Sequence, residues 1–195
     1  MSKFRIAITL TSSLSVDEEY LKLTRDVARY LAEHDFGIVF GGTAYGMMLE
    51  LAQTYKTAGG TDLVGVMAKD LMAVTKGYVP YDKLDETHME DSMENRKHKM
   101  VTLADAFLIL PGGYGTFEEL GTMLGGRINK LYDKPIAILN YKGFYDQMLA
   151  FFSMMVDKNF SKIRYEDVCL ISEDLAEITN YFSNYQPEEL ADKFV

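Results

Sequence analysis

Residues 105–119 read DAFLILPGGYGTFEE. The apolar run Ala106 to Leu110, flanked by Asp105 and Pro111, predicts a short strand buried on both faces of a parallel sheet. Gly112, Gly113 and Gly115, with Tyr114 among them, follow directly. Lacking Cβ atoms, these glycines let the backbone turn sharply and bring its N–H groups against a ligand, and Thr116 is placed to cap the helix that begins there. A strand, a glycine turn and a helix start form an anion site, because the helix end offers free N–H groups and the positive end of its dipole. Glu118 and Glu119 are expected in the first turn of that helix. Either they complement the dipole, an effect of about 0.3–1 kcal/mol, or they set a carboxylate beside a bound phosphate to do chemistry. Glu119 suits the second role better than Glu118.

Working outward, the same strand-then-helix period recurs. Phe4 to Leu10 predicts a strand, and Asp17 to Glu33 a helix with Tyr20, Leu21, Thr24, Val27, Ala28 and Leu31 on one face. Phe36 to Phe40 is a second strand ending in GGTAYG (41–46), and a helix from about Met47 to Thr57 stops at Ala58-Gly59-Gly60. Leu63 to Met67 is a third strand. A polar, irregular stretch from Thr75 to Glu90 precedes a helix over Ser92 to Leu103. The 105–119 segment comes next, its helix running to about Lys130. Pro135 to Leu139 (strand), Phe144 to Val156 (helix), Val168 to Ile171 (strand) and Leu175 to Phe182 (helix) complete the series, with a loose tail over 186–195. This alternation predicts one α/β domain: a Rossmann-like, doubly wound parallel sheet with helices on both faces and its ligand at the carboxyl ends of the strands, near a switch in strand order.

A chain of 195 residues, 48% hydrophobic and 25% charged, fits a single globular domain. The formal net charge of −9 argues against a nucleic-acid or anionic-membrane partner. The amino terminus has too short an apolar run for a signal peptide, and no stretch reaches membrane-helix length. Cys169, the single cysteine, reads as a buried reduced thiol, and a cytoplasmic location follows. His34 and His88 have no ligand-spaced partners, so no metal site is expected.

GGTAYG and PGGYGT both follow strand carboxyl ends and so share one sheet edge, where Gly41 and Gly42 face the same ligand as the second turn. The loop Thr11, Ser12 and Ser13 offers donors at that edge, and equally resembles a helix N-cap region. Neither glycine turn is the GxGxxG dinucleotide fingerprint, and nothing resembles GxxxxGK[ST]. Tyr45 and Tyr114 stand where an aromatic could stack on a base or simply pack. In SMENRKHKM (92–100), Met93, Arg96 and Met100 share one helical stripe, whereas Lys97, His98 and Lys99 fall largely on the solvated face. An arginine on a partly apolar stripe seeks an anion, either a phosphate or Glu119.

ENRKHKM followed by PGGYGTFEE closely resembles the LOG family, the cytokinin riboside 5′-monophosphate phosphoribohydrolases, often labelled lysine decarboxylase-like. The family pattern is an RK pair and then PGGxGTxxE, here Arg96, Lys97 and Pro111 to Glu119. IVFGGTAYGMM, AGGTDLVGVM and KPIAILNYKGFYD extend the likeness over most of the chain. The resemblance implies a homodimer that cleaves the N-glycosidic bond of a nucleoside 5′-monophosphate to free base and ribose 5-phosphate, with no metal or redox cofactor. It implies Arg96 and Glu119 as the catalytic pair and Gly112, Gly113, Gly115 and Thr116 as the phosphate cradle, with Lys97 of the RK pair among the substrate-binding residues. Asp70 falls where the family often has a base-contacting glutamate. Thr43 and Leu49 replace family glycines. Gly125-Gly126 replace the Thr-Trp of plant-type members, which removes an expected wall of the site and favours AMP or a related nucleotide over a prenylated cytokinin. A catalytically silent nucleotide sensor or carrier of the same fold is the alternative; nothing in the sequence indicates a pyridoxal-lysine decarboxylase site.

Overall fold

The computed structural model describes residues 3–187 and 189–191. Seven strands form one parallel sheet: β1 (Arg5–Thr9), β2 (Gly37–Phe40), β3 (Leu63–Ala68), β4 (Glu86–Glu90), β5 (Ala106–Ile109), β6 (Ile136–Leu139) and β7 (Leu170–Ser172). Their order is β4-β3-β2-β1-β5-β6-β7. The helices are α1 (Glu18–Glu33), α2 (Gly46–Thr57), α3 (Lys69–Val74), α4 (Met93–Leu103), α5 (Tyr114–Ile128), α6 (Asp146–Asp157) and α7 (Leu175–Ser183).

The period-two alternation of strand side chains sorts the core into two layers. Ile6, Ile8, Ile38, Phe40 and Leu108 point to one face, where Val27, Leu31, Leu51 and Ile178 of α1, α2 and α7 cover them. Ala7, Val39, Val66, Phe107 and Ile109 point to the other, beneath Met100, Leu120, Met123 and Leu149 of α4, α5 and α6. Helices thus cover both faces, as the apolar strands require. Strand order runs outward in both directions from β1, which pairs with β2 on one side and β5 on the other. The crevice between the carboxyl ends of β1 and β5 is the topological switch point, the place where such sheets bind ligands.

Two elements differ from the sequence reading. The stretch from Thr75 to Glu90 is not wholly irregular, since Glu86–Glu90 pairs in parallel with β3 from Val64↔Glu86 to Ala68↔Glu90. As a sheet edge, β4 carries charged residues and lacks the apolar run that marks the inner strands. The short α3 also follows β3 without a break. In the segment expected to be loose, Leu190 is buried in the second core layer, while 188 and 192–195 lie outside the described residues. Among the described residues no helix is long and apolar enough to cross a membrane.

Gly125 and Gly126 sit late in α5, and neither lines the switch-point cleft. A Cβ on Gly126 would come 2.5 Å from the Tyr132 ring, whereas one on Gly125 would meet nothing within 4 Å. The missing wall inferred from this pair is therefore not a wall of the cleft: Tyr132 occupies that space behind the helix. Gly125→Ala should raise unfolding stability by about 0.5–1 kcal/mol, the ordinary gain of alanine over glycine inside a helix. Gly126→Ala should give no such gain because Tyr132 must move. Urea denaturation of the two variants distinguishes them.

Candidate active site

The segments that follow β1 to β5 each contribute one part of the cleft, which encloses about 290 Å³. β5 delivers Pro111 to Gly113. Tyr145, behind this loop, donates from its hydroxyl to the Leu110 carbonyl at 2.7 Å and so fixes where the strand ends. Gly113 is the N-cap of α5, and the first helical bond runs from Phe117 N–H to the Gly113 carbonyl. The N–H groups of Tyr114, Gly115 and Thr116 stand ahead of it and are available to an anion. A Cβ on Gly113 or Gly115 would meet nothing within 4 Å, so the space in front of these amides is open.

Thr116 is not the cap. It lies inside the first turn, with its side chain over Gly112, where any Cβ would collide with it. Its hydroxyl is buried without a hydrogen-bond partner, although Thr116 lines the cleft. A buried hydroxyl left unpaired costs about 1–3 kcal/mol, and this one lies beside the open amino-terminal end of α5. One turn later come Glu118 and Glu119. The first turn of α5 holds no acidic residue. Helix-dipole effects fade beyond the first turn, so dipole complementation does not account for either glutamate.

Glu119 and Arg96 form a buried ion pair. Arg96 Nη1 donates to Glu119 Oε1 at 2.8 Å, with the two side chains 6% and 7% exposed. Arg96 Nε donates to the Val66 carbonyl at 2.9 Å, which ties the guanidinium to the end of β3. Gly41 makes room for the remaining nitrogen: a Cβ there would lie 2.6 Å from Arg96 Nη2. Burial pushes the Glu119 carboxyl above the usual carboxylate range, against the opposing pull of Arg96. Met93 and Arg96 both line the cleft and Met100 is buried below, so the apolar stripe on α4 carries its arginine inward.

The second glycine turn supports the opposite wall. Gly42 (φ 74°) and Gly46 (φ 52°) adopt left-handed backbone, and Gly46 packs against the Ser12–Ser13 backbone. Ser12 lines the cleft. Ser13 faces a neighbouring hollow, and its N–H is taken by Thr11 Oγ1 at 3.1 Å. Thr43, in place of a glycine, does not narrow the cleft with its hydroxyl, which donates to the Val79 carbonyl at 3.2 Å. Ala44 N–H also bonds to Val79, and Tyr81 N–H to the Gly42 carbonyl, each at 2.8 Å. Tyr45 donates to the Gly77 carbonyl. The 77–81 segment is thereby strapped across the turn, and Leu71, Thr75 and Tyr78 from this region line the cleft.

Besides Ser13, three more of the expected binding residues lie outside the cleft. Asp70 is exposed and accepts from Leu71 N–H at 2.6 Å and Met93 N–H at 3.0 Å, joining α3 to the start of α4. That wall of the cleft is instead made by Leu71, Thr75 and Tyr78, the last tied to the Gly41 carbonyl across thirty-seven residues, a link that leaves no local sequence signal. Lys97 lies outside the cleft, paired with Glu118 at 2.8 Å and Glu94 at 3.1 Å. Gly42 turns the backbone behind the cleft. Tyr114 lines the cleft mouth at 96% exposure. The structure brings together Ser12, Gly41, Arg96, Gly113, Tyr114, Gly115, Thr116 and Glu119, with Gly112 immediately beneath Thr116.

Removing one member of a buried pair strands the other charge. Arg96→Ala should destabilise the fold at neutral pH by about 3–5 kcal/mol, with Arg96→Ala/Glu119→Gln recovering much of the loss. A carboxyl whose folded-state pKa exceeds its unfolded value binds its proton more tightly when folded. Its favourable contribution is present below the unfolded value and lost as pH rises through the folded one. The Arg96→Ala deficit should therefore narrow as pH falls through the raised Glu119 pKa, as read by denaturant titration at several pH values.

The family described as "Possible lysine decarboxylase" matches residues 48–182. The chain is 30% identical over 195 residues to cytokinin riboside 5′-monophosphate phosphoribohydrolase LOG2 of Arabidopsis thaliana, covering 100% of this chain and 89% of that protein. It is 30% identical over 188 residues to cytokinin riboside 5′-monophosphate phosphoribohydrolase LOG of Oryza sativa subsp. japonica, covering 96% and 76%. Among solved structures, the molybdenum cofactor carrier protein MCP from Chlamydomonas reinhardtii matches with a TM-score of 0.68 at 19% identity, covering 93% and 97%, and shows the shared fold. On the extent of these matches, the chain belongs to the LOG family, within the lysine decarboxylase-like proteins.

Proposed function

We propose that the protein is a phosphoribohydrolase that cleaves the N-glycosidic bond of a nucleoside 5′-monophosphate, AMP or a cytokinin-like nucleotide, giving free base and ribose 5-phosphate. The observation that carries this reading is the Arg96–Glu119 pair, buried yet lining a cleft whose other end is an open helix N-terminus with an unpartnered Thr116 hydroxyl. The relatives from Arabidopsis thaliana and Oryza sativa carry the same activity in their names.

In this mechanism the phosphate sits on the Tyr114, Gly115 and Thr116 amides and takes the Thr116 hydroxyl bond. Binding energy from this group, remote from the scissile bond, holds the ribose over the ion pair. Breaking the bond between sugar and base develops positive charge at the anomeric carbon, which a nearby carboxylate stabilises. Glu119 fills that role and takes a proton from the attacking water. Its raised pKa makes it a better base than an exposed glutamate. Arg96 keeps Glu119 ionised and aimed, and its second nitrogen, beside Gly41, offers positive charge to the departing base.

A silent carrier with the same fold would need the glycine cradle but not the pair. Replacing a buried ion pair by apolar residues is often neutral or stabilising, so stability alone does not explain why the cleft is floored with one.

The test is chromatographic detection of free base after incubation with a panel of nucleoside monophosphates and their unphosphorylated nucleosides. The reading predicts cleavage of at least one monophosphate, little of any nucleoside, and a raised KM in Thr116→Val. Glu119 acts as the carboxylate, so kcat/KM should fall as pH drops through its raised pKa. Release of inorganic phosphate instead of base, or equal turnover of nucleosides and monophosphates, would count against it.

A further inference from the structure

We propose that Tyr78 is the proton donor to the departing base, a further catalytic residue within the phosphoribohydrolase reading on which this inference rests. A nucleobase leaves poorly as an anion, so a group in the cleft must hand it a proton. Arginine holds its protons too tightly for this role, and Glu119 is engaged at the sugar. Glu118 is drawn to Lys97 at 2.8 Å. Among the described residues no histidine or aspartate lines the cleft. Aliphatic hydroxyls are far weaker acids than phenols, which leaves the three tyrosines.

Two of these are spoken for. Tyr45 donates to the Gly77 carbonyl, and Tyr114 stands 96% exposed at the cleft mouth, on the phosphate side. Tyr78 is half-buried, and its hydroxyl makes only a long bond of 3.3 Å to the Gly41 carbonyl. Gly41 is also the residue whose absent side chain admits Arg96 Nη2, so the phenol and the guanidinium that holds Glu119 both border this one residue. The strap holds the backbone on either side of Tyr78 through bonds from Thr43 and Ala44 to Val79 and from Tyr81 to Gly42. Burial raises the Tyr78 phenol above its ordinary value, so it is protonated at neutral pH, while the Arg96 charge favours the phenolate formed on transfer.

The step balances. The bond from C1′ to the base nitrogen breaks with its electron pair passing to the base, and the Tyr78 proton passes to a base nitrogen. The water oxygen bonds to C1′ as a water proton passes to Glu119. That proton then returns through solvent to the Tyr78 phenolate, restoring both groups.

The experiment compares Tyr78→Phe with wild type on two substrates: the best-cleaved nucleoside monophosphate, and 4-nitrophenyl β-D-ribofuranoside 5-phosphate, whose leaving group departs as a stable anion and needs no proton. Loss of a general acid typically costs about 10²–10⁴-fold. Tyr78→Phe should lose at least about 100-fold in kcat on the nucleotide and less than about threefold on the nitrophenyl substrate, with Glu119→Gln impaired on both. Equal losses on the two substrates, or no loss on either, would overturn the assignment of Tyr78 while leaving the phosphoribohydrolase reading standing. A wild-type protein that cleaves neither would overturn both.

Discussion

The buried contact between Arg96 and Glu119 is the constraint around which this site is arranged. An isolated ionised carboxylate or guanidinium is too costly to bury, so each side chain requires the other. Glu119 comes from the second turn of α5 and Arg96 from the first turn of α4, so the pair sets how these helices sit on their shared face of the sheet. The Val66 carbonyl at the end of β3 takes a further guanidinium proton, and Gly41 after β2 leaves room for the rest of the group. Elements from both sides of β1 thus converge on one ion pair at the switch point.

That convergence divides the cleft into regions with different chemistry. At the α5 end, backbone amides face open space beside the Thr116 hydroxyl, which suits a phosphate. At the other end, Met48, Leu71 and Tyr78 form a more apolar wall, which suits a flat base. The charged pair lies between. An acidic protein can hold an anion because local dipoles and one arginine act at short range, whereas the surface charge is screened beyond about 8–10 Å at ordinary salt.

Much of this was legible in the sequence because it is encoded locally. The apolar runs at 4–10, 36–40 and 106–110 specify buried parallel strands, and the Met93, Arg96, Met100 spacing carries an arginine toward the core. The glycine turns announce themselves. What was not legible depends on partners distant in the chain. Nothing local marks Thr43 as the anchor of a strap, because its hydroxyl bonds to the Val79 carbonyl thirty-six residues away. Asp70 looked like a ligand contact, yet its carboxylate joins two helices across twenty-three residues. Helix starts favour threonine as a cap, but α5 begins two residues before Thr116, which puts its hydroxyl within the first turn. Edge strand β4 was obscured by its charges, the very feature that protects a sheet edge.

The measurement that bears most directly on this account is the fate of AMP at saturating concentration with wild-type protein and with Glu119→Gln. Bound nucleotide is quantified by equilibrium dialysis and free adenine by chromatography. The account predicts repeated release of adenine by the wild type, and a Glu119→Gln protein that still binds AMP but returns it intact. Wild-type protein that binds AMP and returns it unchanged would contradict the account and identify the fold as a carrier.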